Sequence, residues 1–456
     1  MDRDQLFGFL KAPEDTGLKT DVRYFSIALV FFFVVQSLFA QQSAGFEKLQ
    51  TSNFKLETQI LTIESCQQKA RDNYPLIRQR SLIDLSEQYT ISNIGKAWLP
   101  QIAFNAQATW QSDVTHIPIN MPGIPTIDKD QYRATIDVSQ TIWDGGAARS
   151  QRRIAEAGNE IERQNVEVNL YTLRERVNQL FFGILTIDEQ LKQLDILEKD
   201  LQTSLKLVNS FLQNGIAIPS DVDIVQVEIL NVGQKRTELT AFRKAYAAML
   251  SAMIGETVDE SVQLRKPEEL AVNRQADSKR PELALFARQN ELFEAQLSSI
   301  RVRNMPRFSL FMQGGYGKPG LNMLSNDFEF FAIGGARLNW NFGNLYSSKN
   351  ESSLLANNKN MVRVQQETFL FNTHLQLTQA WQEIQKAKEL MQTDDEIINL
   401  CYRVKTAGES KYANGVYTVN DLLKNINAEN QARQAKILHE VQYLMSVYYY
   451  HVIAGN

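Results

Sequence analysis

Residues 147–213 read AARSQRRIAEAGNEIERQNVEVNLYTLRERVNQLFFGILTIDEQLKQLDILEKDLQTSLKLVNSFLQ, without a proline. From Val166 onward the apolar positions alternate by three and four: Leu170, Leu173, Val177, Leu180, Ile184, Ile187, Leu191, Leu194, then Leu201, Leu205, Val208 and Leu212, with only Glu198 breaking the rhythm. A 3-4 alternation held over several heptads marks a coiled-coil seam. At ~1.5 Å per residue the helix would reach about 100 Å, whereas most soluble helices stop after three or four turns. It opens after Trp143-Asp144-Gly145-Gly146 and closes at Asn214-Gly215, a natural left-handed cap. The sequence therefore predicts one bounded, unbroken rod.

Reading outward from the rod reveals a repeat, which takes precedence over any domain assignment. Tyr74-Pro75 leads to Pro100 and Arg280-Pro281 leads to Pro306 at the same spacing, with amphipathic helix expected between each pair. Landmarks recur later at a fixed offset: Asn214-Gly215 with Asn414-Gly415, Asp221 with Asp421, Gly255 with Gly455. Each half is expected to run helix, strand, loop, strand, long helix, turn, return helix. The second long helix is placed at about residues 346–413 and the return helices near 221–254 and 421–453. The expected organisation is a first repeat over 41–255, a charged linker over 256–279 and a second repeat over 280–456.

After each helix-ending proline the apolar period changes to two, the period of a strand with one apolar face. Ile102, Phe104, Ala106, Ala108 and Trp110 share a face, as do Tyr132, Ala134, Ile136 and Val138 beyond a loop holding Pro118, Pro122, Gly123 and Pro125. Strands are expected at about 101–112, 131–143, 307–317 and 328–342; in the last, Phe331 and Ile333 fall on the otherwise polar face. Such strands of about ten residues suit either an outer-membrane barrel or a half-buried antiparallel sheet. Four strands cannot close a barrel, and an open edge in lipid strands backbone groups at several kcal/mol each. In a membrane, several copies would have to pool their strands.

The fold class expected is mixed α and β: a long helical coiled-coil barrel with four transmembrane β-strands per protomer. A formal charge of -4 provides no basic footprint for nucleic acid. The two cysteines, Cys66 and Cys401, form no disulfide framework or zinc spacing and are expected as small buried side chains, a helix-to-helix disulfide being the alternative. Residues 24–40, YFSIALVFFFVVQSLFA, follow Lys19 and Arg23 and precede Gln41-Gln42. This pattern fits a leader and secretory signal over 1–40 cleaved after Ala40, with a membrane anchor as the alternative.

Taken in order, Asn73-Tyr74-Pro75, Leu99-Pro100, Gln140 through Gly146, Arg280-Pro281-Glu282, Pro306, Leu338 through Gly343, the two Asn-Gly turns and Asp421-Leu422-Leu423 resemble the TolC-like outer-membrane efflux family, also called the outer membrane factor family. The resemblance covers about residues 60–455. It implies a homotrimer whose twelve pooled strands form a barrel in outer-membrane lipid, above a helical tunnel in the periplasm. Its implied partners are a periplasmic adaptor and an inner-membrane pump of RND or ABC type. It also places a gate at the periplasmic tip, for which Asp421, Tyr412 and Asp221 are the candidates. Gly215 and Gly415 are the candidate adaptor-contact turns. Tyr417 stands where the archetype has an arginine of its gate-locking network, and Lys424 where it has a second acid. Asp421 equally suits a helix cap.

No enzyme, cofactor or metal chemistry is expected. His116, His374, His439 and His451 share no ligand spacing with cysteines or carboxylates. The pairs Gly314-Gly315 and Gly334-Gly335 lie in strands, without the lysine of a phosphate loop. Three functions fit this reading: an exit duct for efflux, the outer component of a type I protein secretion system, or a coiled-coil scaffold that transports nothing.

Overall fold

A computed structural model describes residues 60–115, 127–259, 262–272 and 278–456. The expected leader and signal, the first loop from His116 through Pro125, and parts of the 256–279 segment lie outside the described residues. In chain order the elements are β1 (Ile60–Leu61), α1 (Ile63–Asn73), a short 3-10 turn (Pro75–Ile77), α2 (Arg78–Lys96), β2 (Gln101–Trp110), β3 (Asp130–Trp143), α3 (Ala147–Tyr171), α4 (Leu173–Gln213) and α5 (Pro219–Ile254). They continue with β4 (Gln263–Leu264), α6 (Pro281–Arg303), β5 (Arg307–Lys318), β6 (Glu329–Asn339), α7 (Asn344–Ala413) and α8 (Val419–Ala454).

The helices form a wall four staves wide. Nearest the strands the lateral order is α2, α3, α6, α7; farther away it is α5, α4, α8, α7. Two staves are long, α3 running into α4 and the 70-residue α7, while two are built from helices stacked end to end. Asn73 donates from Nδ2 to the carbonyls of Ala252 (3.2 Å) and Met253 (3.1 Å), which seats the end of α5 beneath α2. The Lys279 N–H donates to the Ala454 carbonyl at 3.0 Å, which seats the end of α8 beneath α6.

The predicted rod is interrupted once. Thr172 keeps right-handed dihedrals (φ -63°, ψ -20°) but leaves the α-helical ladder between α3 and α4. Its hydroxyl donates to the Asn169 carbonyl at 2.8 Å, the local back-bond by which threonine competes with helix hydrogen bonding. At the same height Tyr171 donates to the Val452 carbonyl (2.7 Å), and the guanidinium groups of Arg174 and Arg280 lie over its ring. The seam itself is buried, from Val166, Leu170 and Val177 through Leu201 and Val208. At its one break, Glu198 and Asp195 both accept from Arg236 of α5, at 2.6 and 2.5 Å.

A belt packs across the first turns of α4. In it β1 pairs in parallel with β4, and Ile63, Cys66 and Ala70 of α1 are buried with Val177, Phe181 and Phe182 of α4 and Leu250 of α5. The segment after α5, read from sequence as a charged linker, buries Val258 and Val262 in this core. Its charged residues reach outward, as Lys266 does to Glu440 at 2.7 Å. Both cysteines are free: Cys66 is buried, which pushes its thiol up to about 11, and Cys401 is half-buried on α7.

The strands form one antiparallel sheet in the order β2-β3-β5-β6. Register places Ile102, Val138, Met312 and Gly334 on one face and Asn105, Thr135, Gly315 and Phe331 on the other. The apolar face is bare: Ile102 is 72 %, Phe104 70 % and Phe330 87 % exposed. Phe331, out of place on the polar face by its chemistry, lies flat across Gly315, where an added Cβ would come within 2.5 Å of the ring. The Arg133 guanidinium sits 5.3 Å from the centre of that ring. Phe311, Gly335 and Arg337 repeat the arrangement, with Arg337 at 4.8 Å. β6 ends at Asn339, short of the predicted 342, because the Trp340 indole donates to the Asn304 carbonyl (3.0 Å) and Asn341 accepts from the Gly343 N–H (2.9 Å), turning the chain into α7.

Candidate functional site: the hairpin tips

Far from the strands, α4 turns into α5 and α7 into α8. Both turns close by the same backbone device. The Gly215 N–H donates to the Leu212 carbonyl and the Ile216 N–H to that of Phe211, at 3.0 and 2.8 Å; Gly415 and Val416 do the same to Tyr412 and Lys411, at 3.0 and 2.9 Å. These paired bonds require a left-handed residue after the helix end, supplied by Gly215 at φ +73° and Gly415 at φ +71°. Among the described residues nothing lies within 4 Å of a Cβ built on either glycine, so both turns present open space. Ile216, Ile218 and Val416 beside them are 65 %, 61 % and 70 % exposed.

The return helices start with acidic caps. Asp421 accepts from the Thr418 N–H (3.1 Å) and hydroxyl (2.7 Å), and Thr418 Oγ1 accepts from the Asp421 N–H (3.2 Å). These bonds hold the exposed Asp421 carboxyl below its usual range. Asp221 accepts from the Ile218 N–H at 3.1 Å, and Ile218 has no hydroxyl with which to reciprocate. Tyr412 is buried, stacked on Phe211 of α4 with ring centres 5.4 Å apart, and thus joins the two hairpins. Burial and then the charge of nearby Asp221 raise its hydroxyl above the usual tyrosine range. The structure therefore brings Tyr412 and Asp221 together. Asp421 occupies the start of α8, committed to its cap.

The outer membrane efflux protein family matches residues 66–256. Among solved structures, a membrane protein from Pseudomonas aeruginosa aligns at 13% identity with a TM-score of 0.65, covering 86% of this chain and 90% of that one. CusC aligns at 12% identity and TM-score 0.64, covering 86% and 92%. The open-state MtrE outer membrane channel of Neisseria gonorrhoeae aligns at 14% and 0.59, covering 86% and 89%. No curated protein sequence matches significantly. The chain thus shares the fold of these outer-membrane channels, and its residues 66–256 match the efflux-protein family. The matching family is one of efflux proteins, not of enzymes.

One further cluster stands out above the tips, and sequence reasoning missed it. Lys405 of α7 bonds Asp200 of α4 at 2.6 Å and Glu429 of α8 at 2.9 Å, and Glu429 also takes Arg433 at 2.6 Å. Lys405 is 8 % and Glu429 4 % exposed. Burial works against both charges, yet the hydrogen bonds to Asp200 and Glu429 hold Lys405 above the usual lysine range. Those from Lys405 and Arg433 likewise hold Glu429 below the usual carboxylate range. The signal was present: Lys405 falls seven positions after Ile398 and seven before Tyr412, and Glu429 follows Leu422 and Ile426 on one helical face. Charges at seam positions ask for each other. At the position of the archetype's arginine, Tyr417 lies under the Lys411 ammonium, 4.9 Å from the ring centre.

Proposed function

We propose that this protein is the outer-membrane exit duct of a tripartite efflux system, a homotrimer that passively conducts substrates delivered by an inner-membrane pump through a periplasmic adaptor. One observation carries the reading: the protomer is open on both lateral sides, in the sheet and in the wall alike. β2 and β6 are edge strands, and in lipid unpaired edges are untenable. The bare face of Ile102, Phe104, Trp110 and Phe330 is then the lipid face, and the polar face lines the pore.

The edges of the wall match. On the open side of α7, Leu354, Met361, Val364, Phe371 and Leu375, and farther down Ile397, Leu400 and Val404, are exposed at three-, four- and seven-residue spacings. On the opposite edge Leu82, Leu85 and Tyr89 of α2 and Val227 and Leu230 of α5 are also exposed. The heights correspond: α2 lies level with the upper part of this stripe and the start of α5 with the lower part. Joined head to tail, copies bury both stripes while β6 of one pairs with β2 of the next. The two repeats over 41–255 and 280–456 then act as two pairs of staves, and three copies give twelve strands and twelve staves.

The tips form the periplasmic entrance. Tyr412, Asp221 and Asp421 are the gate residues in this reading, with Tyr412 the hinge contact between hairpins and the two carboxylates the entrance charge. Gly215 and Gly415 present the adaptor-contact turns, for which the open space around them and the exposed Ile216, Ile218 and Val416 are the support. Neighbouring genes test the pump class. An adaptor beside a proton-driven pump fits efflux, whereas an ABC exporter assigns the duct to type I secretion. Loss of the protein should raise cellular retention of a fluorescent efflux substrate, and unchanged retention would remove the efflux role.

A further inference from the structure

Resting on the duct reading, we propose that the base of the barrel carries an arginine collar that makes the throat select for anions, favouring organic carboxylates and sulfonates over cations of similar size. Register fixes the placement. Arg307 lies opposite Asn339, and Arg337 opposite Ser309 and, one strand farther, Thr141. All belong to the polar, pore-facing side, at the end of the sheet where β3 and β6 pass into α3 and α7. Both arginines are exposed. Arg337 is held by its stack on Phe311 at 4.8 Å, and among the described residues neither arginine makes an ion pair. Two per protomer give six in a trimer.

Among the described residues no acid pairs with them. Asp144, nearest in height, is turned to the start of α3, where it accepts from the Gly146 N–H (2.7 Å) and the Ala148 N–H (2.6 Å), so two arginines face one carboxylate and the level keeps a net positive charge. Glu351 is bonded to Arg303. Asp137 accepts from Asn105, Thr135 and Gln313. It lies four strand positions from Thr141, about 13 Å along the sheet, beyond the screening length of about 8 Å in physiological salt. Nor does the trimer bring a counter-charge, because the strand that would adjoin β6 is β2 of the next copy, QIAFNAQATW, which has no ionisable residue. At the other end of the strands Arg133 shares its register level with an acid, Glu329, two strands away. A ring of net positive charge inside a low-dielectric wall raises the local concentration of ions of opposite charge.

The test is the reversal potential of the purified full-length trimer in planar bilayers across a KCl gradient. Arg307→Gln/Arg337→Gln should lower the chloride-to-potassium permeability ratio by about twofold or more, most at low salt. Arg307→Lys/Arg337→Lys should keep the wild-type ratio. Arg307→Gln alone, which breaks no ion pair or ring contact among the described residues, should show part of the fall even where loss of the Arg337 stack impairs assembly. An unchanged ratio in the Gln variants, or an equal fall from Arg133→Gln, overturns the collar while leaving the duct intact. A trimer that conducts nothing overturns the duct reading and the collar with it.

Discussion

Lys405 and Glu429 form a buried ion pair in the lower wall. Glu429→Gln leaves Lys405 buried with only the partly exposed Asp200 to balance it, and breaking a buried pair from one side costs about 3 kcal/mol. Replacing both, as Lys405→Met/Glu429→Leu, should recover most of the loss; thermal unfolding of the assembled protein measures each. The pH window follows from the shifts. Glu429 is lowered from 4.5, so its contribution is complete above 4.5 and lost as pH falls through the lower folded value. Lys405 is raised from 10.5, so its contribution is complete below 10.5 and lost as pH rises through the higher one. The gap in unfolding temperature between wild type and Glu429→Gln should thus be constant near neutrality and close in strong acid. A gap independent of pH would remove the charge from the account. The network escaped the sequence reading because its members lie on three helices, and no spacing along one chain segment links Asp200 to Lys405. Phe331 was visible as an anomaly, but its partner glycine became apparent only once strand register was known.

At the scale of elements, the caps and the open edges make the sharper predictions. Thr418→Ala removes one half of the reciprocal cap on α8 and should cost about 1 kcal/mol, whereas Ile218→Ala at the equivalent place removes no cap bond. Hydrogen exchange in the first turns of α8 and α5 reports the difference. Gly415→Ala forces a Cβ into the left-handed region at about 1 kcal/mol or more without a clash inside the protomer. If that turn takes an adaptor, the same change should weaken capture of the adaptor far more than it alters stability. Phe371→Asp or Leu230→Asp should release monomers in detergent, since each places a charge in the proposed joint. Retention of the full assembly would show that those stripes do not meet. Periodicity made most elements legible, because seams and alternating faces are local patterns. The break at Thr172 was not, since its dihedrals remain helical and the contacts at its height, from Val452 and Arg280 to Tyr171, come from distant parts of the chain. The docked segment after α5 was misread because its charges outnumber the few valines and leucines that anchor it.

For the whole molecule, the long seam at residues 147–213 has become half of an argument about closure. Its buried side is satisfied inside the protomer by α2 and α6 along α3 and by α5 and α8 along α4, whereas among the described residues nothing covers the exposed apolar side of α7, of comparable reach. A chain with bare strands, two unpaired sheet edges and two unmatched apolar stripes asks for a partner, and in the proposed duct that partner is another copy. Neutralising the entrance with Asp421→Ala should change conductance or its block by multivalent cations when Asp421 lines the mouth, and leave both unchanged when it serves only as a cap. The most direct test of the central claim is the native mass of the protein extracted from outer-membrane fractions in detergent. The account predicts a heat-modifiable trimer that dissociates to the monomer only on heating. Recovery as a water-soluble monomer without detergent would contradict it.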